Sequence, residues 1–197
     1  IKNLIDKKAK DNWLDGEGEA AFYGPKVDFM AKDSIGRTWQ VGTIQVDFVQ
    51  PSNFGLECVN EEGKREPIVM IHCAIAGSLE RFLSVYIEHV AGNFPLWMSP
   101  TQISLLPISD KHHDYAKTIT KKLQEVSIRV DLDDSKEGLG KKVRATREMK
   151  TPYWAVIGDA ELTNGTITLE HRTEGKIGEI QVEELLEKLT TEIKEKK

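Results

Sequence analysis

The side chains best equipped for chemistry stand where an apolar pattern isolates them. Gln40, Thr43 and Gln45 interrupt the aromatic and β-branched run 37–48, where uncharged polar groups on a strand can hydrogen-bond a small polar ligand. His72 lies inside the compact apolar run 67–74 and offers a metal-ligating nitrogen. Arg81 follows Gly77-Ser78 in the first turn of a predicted helix, opposite that helix's apolar stripe. A planar, permanently charged guanidinium suits both stacking on a flat ring and pairing with phosphate. Between 136 and 150, Lys136, Lys141, Lys142, Arg144, Arg147 and Lys150 outnumber Glu137 and Glu148. That is a local patch able to meet nucleic-acid phosphates.

Each group also has a plainer reading. Polar groups on a strand are often a solvated face, a lone histidine in an apolar strand a hydrogen-bonded core residue, and a basic helix a solvated surface. The step from Gln40 to Thr43 is odd, so the two share a face only if the strand carries a bulge. Cys73, next to His72, points to the opposite face. The pair His112-His113, flanked by Asp110 and Asp114, reads as a solvated turn rather than a metal site. No HxxxH or CxxC lies beside His72, and no Ser-His-Asp or Cys-His arrangement is legible.

The elements that must position these groups follow from periodicity and turn chemistry. Residues 20–29 and 37–48 read as two long antiparallel strands joined by the turn 32–36. A shorter strand at 55–59 precedes a turn at 61–64, and 67–74 suits a buried central strand. From 78 a helix places Leu79, Phe82, Leu83, Tyr86, Ile87 and Val90 on one face, with Gly92 as its stop. Residues 93–100, with two prolines and no period, form the expected domain boundary, giving domains 1–97 and 98–197. Strands at 101–108, 127–132, 153–158 and 165–171 then alternate with helices at 114–126, 139–150 and 182–194, an α/β arrangement. On the helix 139–150, Leu139, Val143, Thr146 and Met149 are expected to face the core, leaving Lys141, Arg144 and Arg147 outward.

Bulk properties bound the rest. The 197 residues carry a net charge of −5, so any RNA contact must come from a patch rather than bulk attraction. Two cysteines without a CxxC pair point away from a disulfide framework and toward a reducing, cytoplasmic setting. No apolar run approaches the roughly 20 residues of a membrane span, so no membrane partner is expected. The chain begins at Ile1 without a leader and reads as a piece of something longer.

Three blocks carry a family likeness. Ala21-Phe22-Tyr23-Gly24-Pro25-Lys26-Val27-Asp28-Phe29, Trp39-Gln40-Val41-Gly42-Thr43-Ile44-Gln45-Val46-Asp47-Phe48 and Met70-Ile71-His72-Cys73-Ala74-Ile75-Ala76-Gly77-Ser78-Leu79-Glu80-Arg81-Phe82 occur in order. The chain strongly resembles the threonyl-tRNA synthetases, and the likeness continues through the second half. The resemblance implies the end of a class II catalytic domain, an antiparallel sheet with the third signature motif's helix. An α/β anticodon-binding domain follows, a mixed sheet flanked by helices. It implies a threonine–tRNA ligase acting with ATP and Mg2+. Its partners would be threonine and tRNA(Thr), and the parent protein a cytoplasmic homodimer.

By the same resemblance Arg81, Gln40 and Thr43 contact ATP, and Tyr23, Gln45 and Ser78 face threonine or the adenylate. Lys26 lies near threonine and the tRNA acceptor end; Lys26, Gln45 and Arg81 form the catalytic set. His72 is implied as one ligand of a zinc ion whose other ligands lie upstream. Lys136, Lys141, Arg144, Lys150 and Glu161 are implied in the anticodon contact. Cys73 stands where the family commonly has arginine, and Lys136-Glu137-Gly138 replaces a usual Asn-Glu-Lys run. The first two class II motifs are not in this stretch, so the chain alone is expected to be inactive. The rival reading is a non-catalytic RNA-binding module on a synthetase-like scaffold. Synthetases for proline, histidine or glycine share the anticodon fold, but residues 22–26 and His72 argue against them.

Overall fold

The computed structural model describes residues 2–10 and 12–197, and backbone contacts divide the chain into two units, Ile1–Tyr86 and Ile87–Lys197. The first unit opens with α1 (Lys2–Ala9) and contains β1 (Lys26–Lys32), β2 (Thr38–Asp47) and the single turn α2 (Gln50–Asn53). The small hairpin β3 (Glu57–Val59) and β4 (Arg65–Pro67) precedes β5 (Met70–Ala74) and α3 (Leu79–Val90), whose residues from Ile87 on belong to the second unit. The sheet order is β1-β2-β5, all antiparallel.

The first strand is shorter than the sequence suggests because Gly24-Pro25 turns the chain before it. Gly24 adopts φ 154°, and a Cβ there would lie 2.0 Å from the Val46 carbonyl oxygen. The turn is docked on β2 by Val46 N–H donating to Pro25 O and Phe48 N–H donating to Tyr23 O. At the far end of the hairpin, Asp33 Oδ1 accepts the N–H groups of Ile35 and Arg37, while Oδ2 accepts Arg37 Nε and Trp39 Nε1. Burial raises the Asp33 carboxyl, but Trp39, Arg37 and the turn amides outweigh it and hold it at about 2.

Two expectations for this unit change. β5 is an edge strand rather than a buried central one, with Ile71 65% exposed, because among the described residues nothing pairs its outer side. The helix α3 carries the expected apolar stripe, yet no residue on it is buried.

The second unit has the chain's apolar core. β6 (Ile103–Pro107), α4 (His113–Glu125), β7 (Val130–Leu132), α5 (Leu139–Glu148) and β8 (Tyr153–Ile157) come first. Then follow α6 (Asp159–Asn164), β9 (Thr166–His171), β10 (Gly175–Gln181) and α7 (Val182–Lys194). The order is β10-β9-β8-β6-β7, with β7, β6 and β8 parallel and β9 and β10 antiparallel additions. The parallel crossovers run first to one side of β6 and then to the other. Right-handed connections therefore put α4 and α5 on opposite faces. The face of α4 and α7 buries Ile103, Leu105, Ala155 and Leu169 against Ile119, Leu123, Leu185 and Leu189. α6 and β10 had no sequence forecast: α6 is short, and β10 holds two glycines and only two isoleucines in seven residues.

The Asp33 network predicts an acid-sensitive hairpin. A carboxyl held at about 2 when folded, against about 3.9 unfolded, contributes stability above pH 4 that is lost as pH falls toward 2. Unfolding titrations between pH 5 and 2 should show this loss in the wild type and not in Asp33→Asn; equal acid slopes would contradict it. Gly24→Ala should cost more than about 1 kcal/mol in a denaturant melt, since the added Cβ meets backbone.

Candidate functional site

A bulge decides which side chains of the first sheet share a face. Between Phe29 and Met30 the β1–β2 register slips, so that Phe29 pairs with Gly42 and Met30 with Gln40, leaving Val41 over. The extra residue resets the alternation. Gln40, Thr43, Gln45 and Asp47 therefore emerge on the side of Lys26, Asp28 and His72. Here lie six of the eight residues forecast for the catalytic half, Tyr23 included.

Hydrogen bonds knit the face together. Gln40 Nε2 donates to Asp28 Oδ1 at 2.9 Å, and the Lys26 ammonium pairs with Asp28 Oδ2. Burial pulls the Asp28 carboxyl upward, yet Lys26 outweighs it and keeps the group below its ordinary range. The same hydrogen bond raises Lys26. Thr43 lies opposite Asp28, and its buried hydroxyl has no hydrogen-bond partner of good geometry. A buried hydroxyl in that position is ready for a ligand atom.

At the other end, the Tyr23 hydroxyl donates to Gln45 Oε1 at 2.7 Å. The Tyr23 ring stands edge-on to His72, with centroids 5.9 Å apart. His72 Nε2 lies 2.8 Å from Asp47 Oδ2, while Asp47 Oδ1 accepts the N–H groups of Val49 and Gln50 at 2.8 and 2.9 Å. Burial raises the Asp47 carboxyl, but His72 and the two amides hold it below its ordinary value.

The remaining two forecast residues lie at the start of α3, Arg81 in its first turn and Ser78 just before it. The Arg81 guanidinium sits 6.0 Å from the centre of the Trp39 ring, and Arg37 lies 5.3 Å from the same ring. Ser78 starts the helix: its hydroxyl donates to Glu80 Oε2 at 2.7 Å and lies 3.4 Å from the Arg81 N–H. Sequence reasoning missed Asp28 and Asp47 as members of the site. Strict alternation from Lys26 and from Gln45 was the signal that could have found them. No group of three or more His, Cys, Asp or Glu able to hold a metal occurs among the described residues.

In the second unit the basic residues divide. α5 runs opposite to the strands it links, so Lys136 and Lys141 lie at the carboxyl ends of β6 and β7, and Lys150 lies at the other edge. Lys141 pairs with Glu137 and Arg144 with Glu148, both at 2.8 Å. Arg147 lies 5.2 Å from the Trp154 ring and 3.8 Å from Glu170. A shallow depression of about 380 Å³ is lined by Gly140, Val143, Arg144, Arg147, Glu148 and Lys150. Glu161 is committed internally, with Oε2 accepting Gly158 N–H and Oε1 accepting the Thr168 hydroxyl.

Two sequence readings are corrected here. Lys142, not Met149, turns inward: Lys142 is 3% exposed and Met149 79%. Leu139, Lys142 and Thr146 recur at helical spacing on the face toward β6. Lys142 Nζ donates to the carbonyls of Pro107 and Asp133 and lies 3.6 Å from the Asp133 carboxylate. Satisfied in this way, a lysine can be buried where a methionine was expected. His112 is likewise buried rather than solvated, and it forms an unforeseen Ser-His-Asp line. Its Nε2 lies 3.0 Å from Asp159 Oδ1, and its Nδ1 accepts the Ser109 N–H at 3.1 Å beside the Ser109 hydroxyl. With that lone pair already taken by a backbone amide, the line is a latch between the segment after β6 and the start of α6, not a nucleophile with its base.

Comparisons place these features among known proteins. Residues 2–90 match the family described as the tRNA synthetase class II core domain (G, H, P, S and T). Residues 102–192 match the anticodon binding domain family. The chain is 47% identical over 187 residues to the threonine–tRNA ligase of Caldanaerobacter subterraneus subsp. tengcongensis, covering 95% of this chain and 29% of that protein. It is 48% identical over 196 residues to that of Prosthecochloris aestuarii, covering 100% and 30%. Among solved structures, the RNA binding domain of threonyl-tRNA synthetase from Cryptosporidium parvum Iowa II superposes with a TM-score of 0.88 at 36% identity, covering 96% of this chain and 48% of that one. A putative threonyl-tRNA synthetase from Aeropyrum pernix gives 0.66 at 32% identity, covering 91% and 44%. The chain spans about 30% of the length of the curated relatives it matches.

The division of the α5 lysines is open to a stability measurement. Lys142→Ala strips the Pro107 and Asp133 carbonyls of their donor and should destabilise the second unit by about 3 kcal/mol. Lys141→Ala should stay within about 0.5 kcal/mol of wild type. Equal effects in denaturant melts would contradict the inward placement of Lys142.

Proposed function

We infer that the chain, which matches the class II synthetase core and anticodon binding domain families in turn, is a stretch of a class II threonyl-tRNA synthetase about 30% as long as its curated relatives. From that premise we propose that the protein it forms part of activates threonine with ATP and Mg2+ and transfers it to tRNA(Thr). The observation that carries this reading is the convergence of Tyr23, Lys26, Gln40, Thr43, Gln45 and His72 on one face of β1-β2-β5. We assign residues 1–97 to the end of the catalytic domain and 98–197 to the anticodon-binding domain. The two family matches, 2–90 and 102–192, are compatible with that division.

In this reading Gln40, Thr43 and Arg81 hold ATP. Arg81 stacks or pairs through its planar guanidinium, and Gln40 and the unbonded Thr43 hydroxyl supply hydrogen bonds from the sheet. Tyr23, Gln45 and Ser78 face threonine and its adenylate. The Tyr23–Gln45 bond fixes which amide atoms Gln45 turns outward. Lys26, already held by Asp28, brings positive charge toward the phosphate and the acceptor end of the tRNA. Adenylate formation needs positioning and charge neutralisation more than a protein nucleophile, which matches a face of amides, hydroxyls and one ammonium.

His72 fits a zinc ligand. One ring nitrogen is backed by a carboxylate, and the ring is 41% exposed toward the same face. Zinc held by His72 and residues outside this stretch would take the amino group and hydroxyl of threonine. Valine has no such hydroxyl, and an apolar pocket separates the pair weakly, by about 1–3 kcal/mol. Lys136, Lys141, Arg144, Lys150 and Glu161 are the residues proposed for the anticodon contact, with Lys150 at the far end of α5 and both Glu161 oxygens already bonded within the fold. Lys136, exposed and outside α5, is the side chain best placed to reach RNA. The parent protein is proposed to be a cytoplasmic homodimer. Among the described residues no helix is long and apolar enough to cross a membrane.

Amino-acid-dependent ATP–pyrophosphate exchange on the full-length protein tests this directly. Threonine should support exchange, a zinc chelator should abolish it, and the isolated 197-residue chain should be inactive. Exchange supported by no amino acid would leave the non-catalytic RNA-binding reading. Lys136→Ala combined with Lys141→Ala should weaken tRNA(Thr) binding several-fold and flatten its salt dependence by about one to two ions. An unchanged salt slope would remove these lysines from the RNA contact.

A further inference from the structure

Asp47 has no ligand-facing role in the reading above, yet it is the one fully buried carboxylate of the first sheet's polar face. Its two oxygens are divided between two tasks. Oδ1 accepts the N–H groups of Val49 and Gln50, which anchor it to the backbone entering α2. Oδ2 is left for His72 Nε2, 2.8 Å away. A carboxylate only accepts hydrogen bonds, so Nε2 must carry a proton, and in the neutral imidazole the lone pair is then on Nδ1. The Tyr23 ring, edge-on to the imidazole, limits its rotation from the other side.

We infer that Asp47 is a positioning residue: it fixes the tautomer and ring orientation of His72 so that the Nδ1 lone pair is presented to the proposed metal. This rests on the reading of His72 as a zinc ligand, but it makes a claim about the imidazole that holds without any metal. The arrangement is the carboxylate–histidine support that metal-binding imidazoles commonly use. The support is rigid because the carboxylate is held by backbone amides rather than by a mobile side chain.

Asp47→Asn separates this role from a merely structural one. The asparagine Oδ1 can keep the Val49 and Gln50 amides, while its amide nitrogen now faces His72 as a donor. The imidazole must then accept at Nε2 and carry its proton on Nδ1, the wrong tautomer for the proposed ligand. Long-range 15N–1H correlation spectra of the 197-residue chain above pH 7.5 read the tautomer directly. The wild type should show Nε2 protonated, and Asp47→Asn should show Nδ1 protonated with the Val49 and Gln50 amide shifts retained. A wild-type ring protonated at Nδ1, or averaged between the two forms, overturns the inference and needs no variant.

The metal arm uses the full-length protein and zinc alone, competed against a chromophoric chelator. Zinc affinity should fall 10- to 100-fold in Asp47→Asn. Affinity lost in His72→Ala but unchanged in Asp47→Asn would overturn the positioning role alone. Affinity unchanged in His72→Ala would overturn the metal reading and, with it, the role of Asp47 toward the metal.

Discussion

Val41, the extra residue in β2, sets the side of the sheet on which every later polar group of that strand emerges. A side-chain period of two leaves no tolerance: one residue more or less sends Gln40 to the other face from Thr43, Gln45 and Asp47. With the bulge in place, β1 contributes Lys26 and Asp28, β2 contributes four side chains and β5 contributes His72. The Gly24 turn adds Tyr23 from outside the ladder. The site is thus a product of register, and its precision comes from paired backbone rather than from a surrounding core.

The two units are stabilised differently. In the second, β6 is buried on both sides, and α4 and α7 close over one face of a mixed sheet. The other face accommodates a buried lysine because Pro107 and Asp133 supply its acceptors. In the first, none of the large aliphatic or aromatic side chains is buried among the described residues, and Phe29, Ile44 and Ile71 stand exposed on the side opposite the polar face. Strand pairing and the networks of Asp33, Asp28 and Asp47 hold that unit.

Much of this was legible in the residues. The hairpin, the strand carrying His72, the helix carrying Arg81 and the alternating second half follow from periodicity and turn chemistry. The odd step from Gln40 to Thr43 already left only two choices, a bulge or opposite faces. What stayed hidden depended on long-range partners. Asp47 looks like any strand carboxylate until His72 is placed opposite its neighbour Gln45. Lys142 looks solvated until Pro107 O and Asp133 are brought beneath it. His112 looks like a loop residue until Asp159, 47 residues later, closes on it. β10 escaped because a ladder with β9 forms it, not an apolar pattern of its own.

The central claim is that the polar face of β1-β2-β5 is the floor on which threonine and ATP meet. A crystal structure of the full-length protein with a non-hydrolysable threonyl-adenylate analogue tests it most directly. The account predicts the threonyl group beside Gln45 and His72, the phosphate toward Lys26, and the adenine within reach of Gln40 and Arg81. A ligand bound elsewhere, or against the Ile44 and Ile71 side of the same sheet, would contradict it.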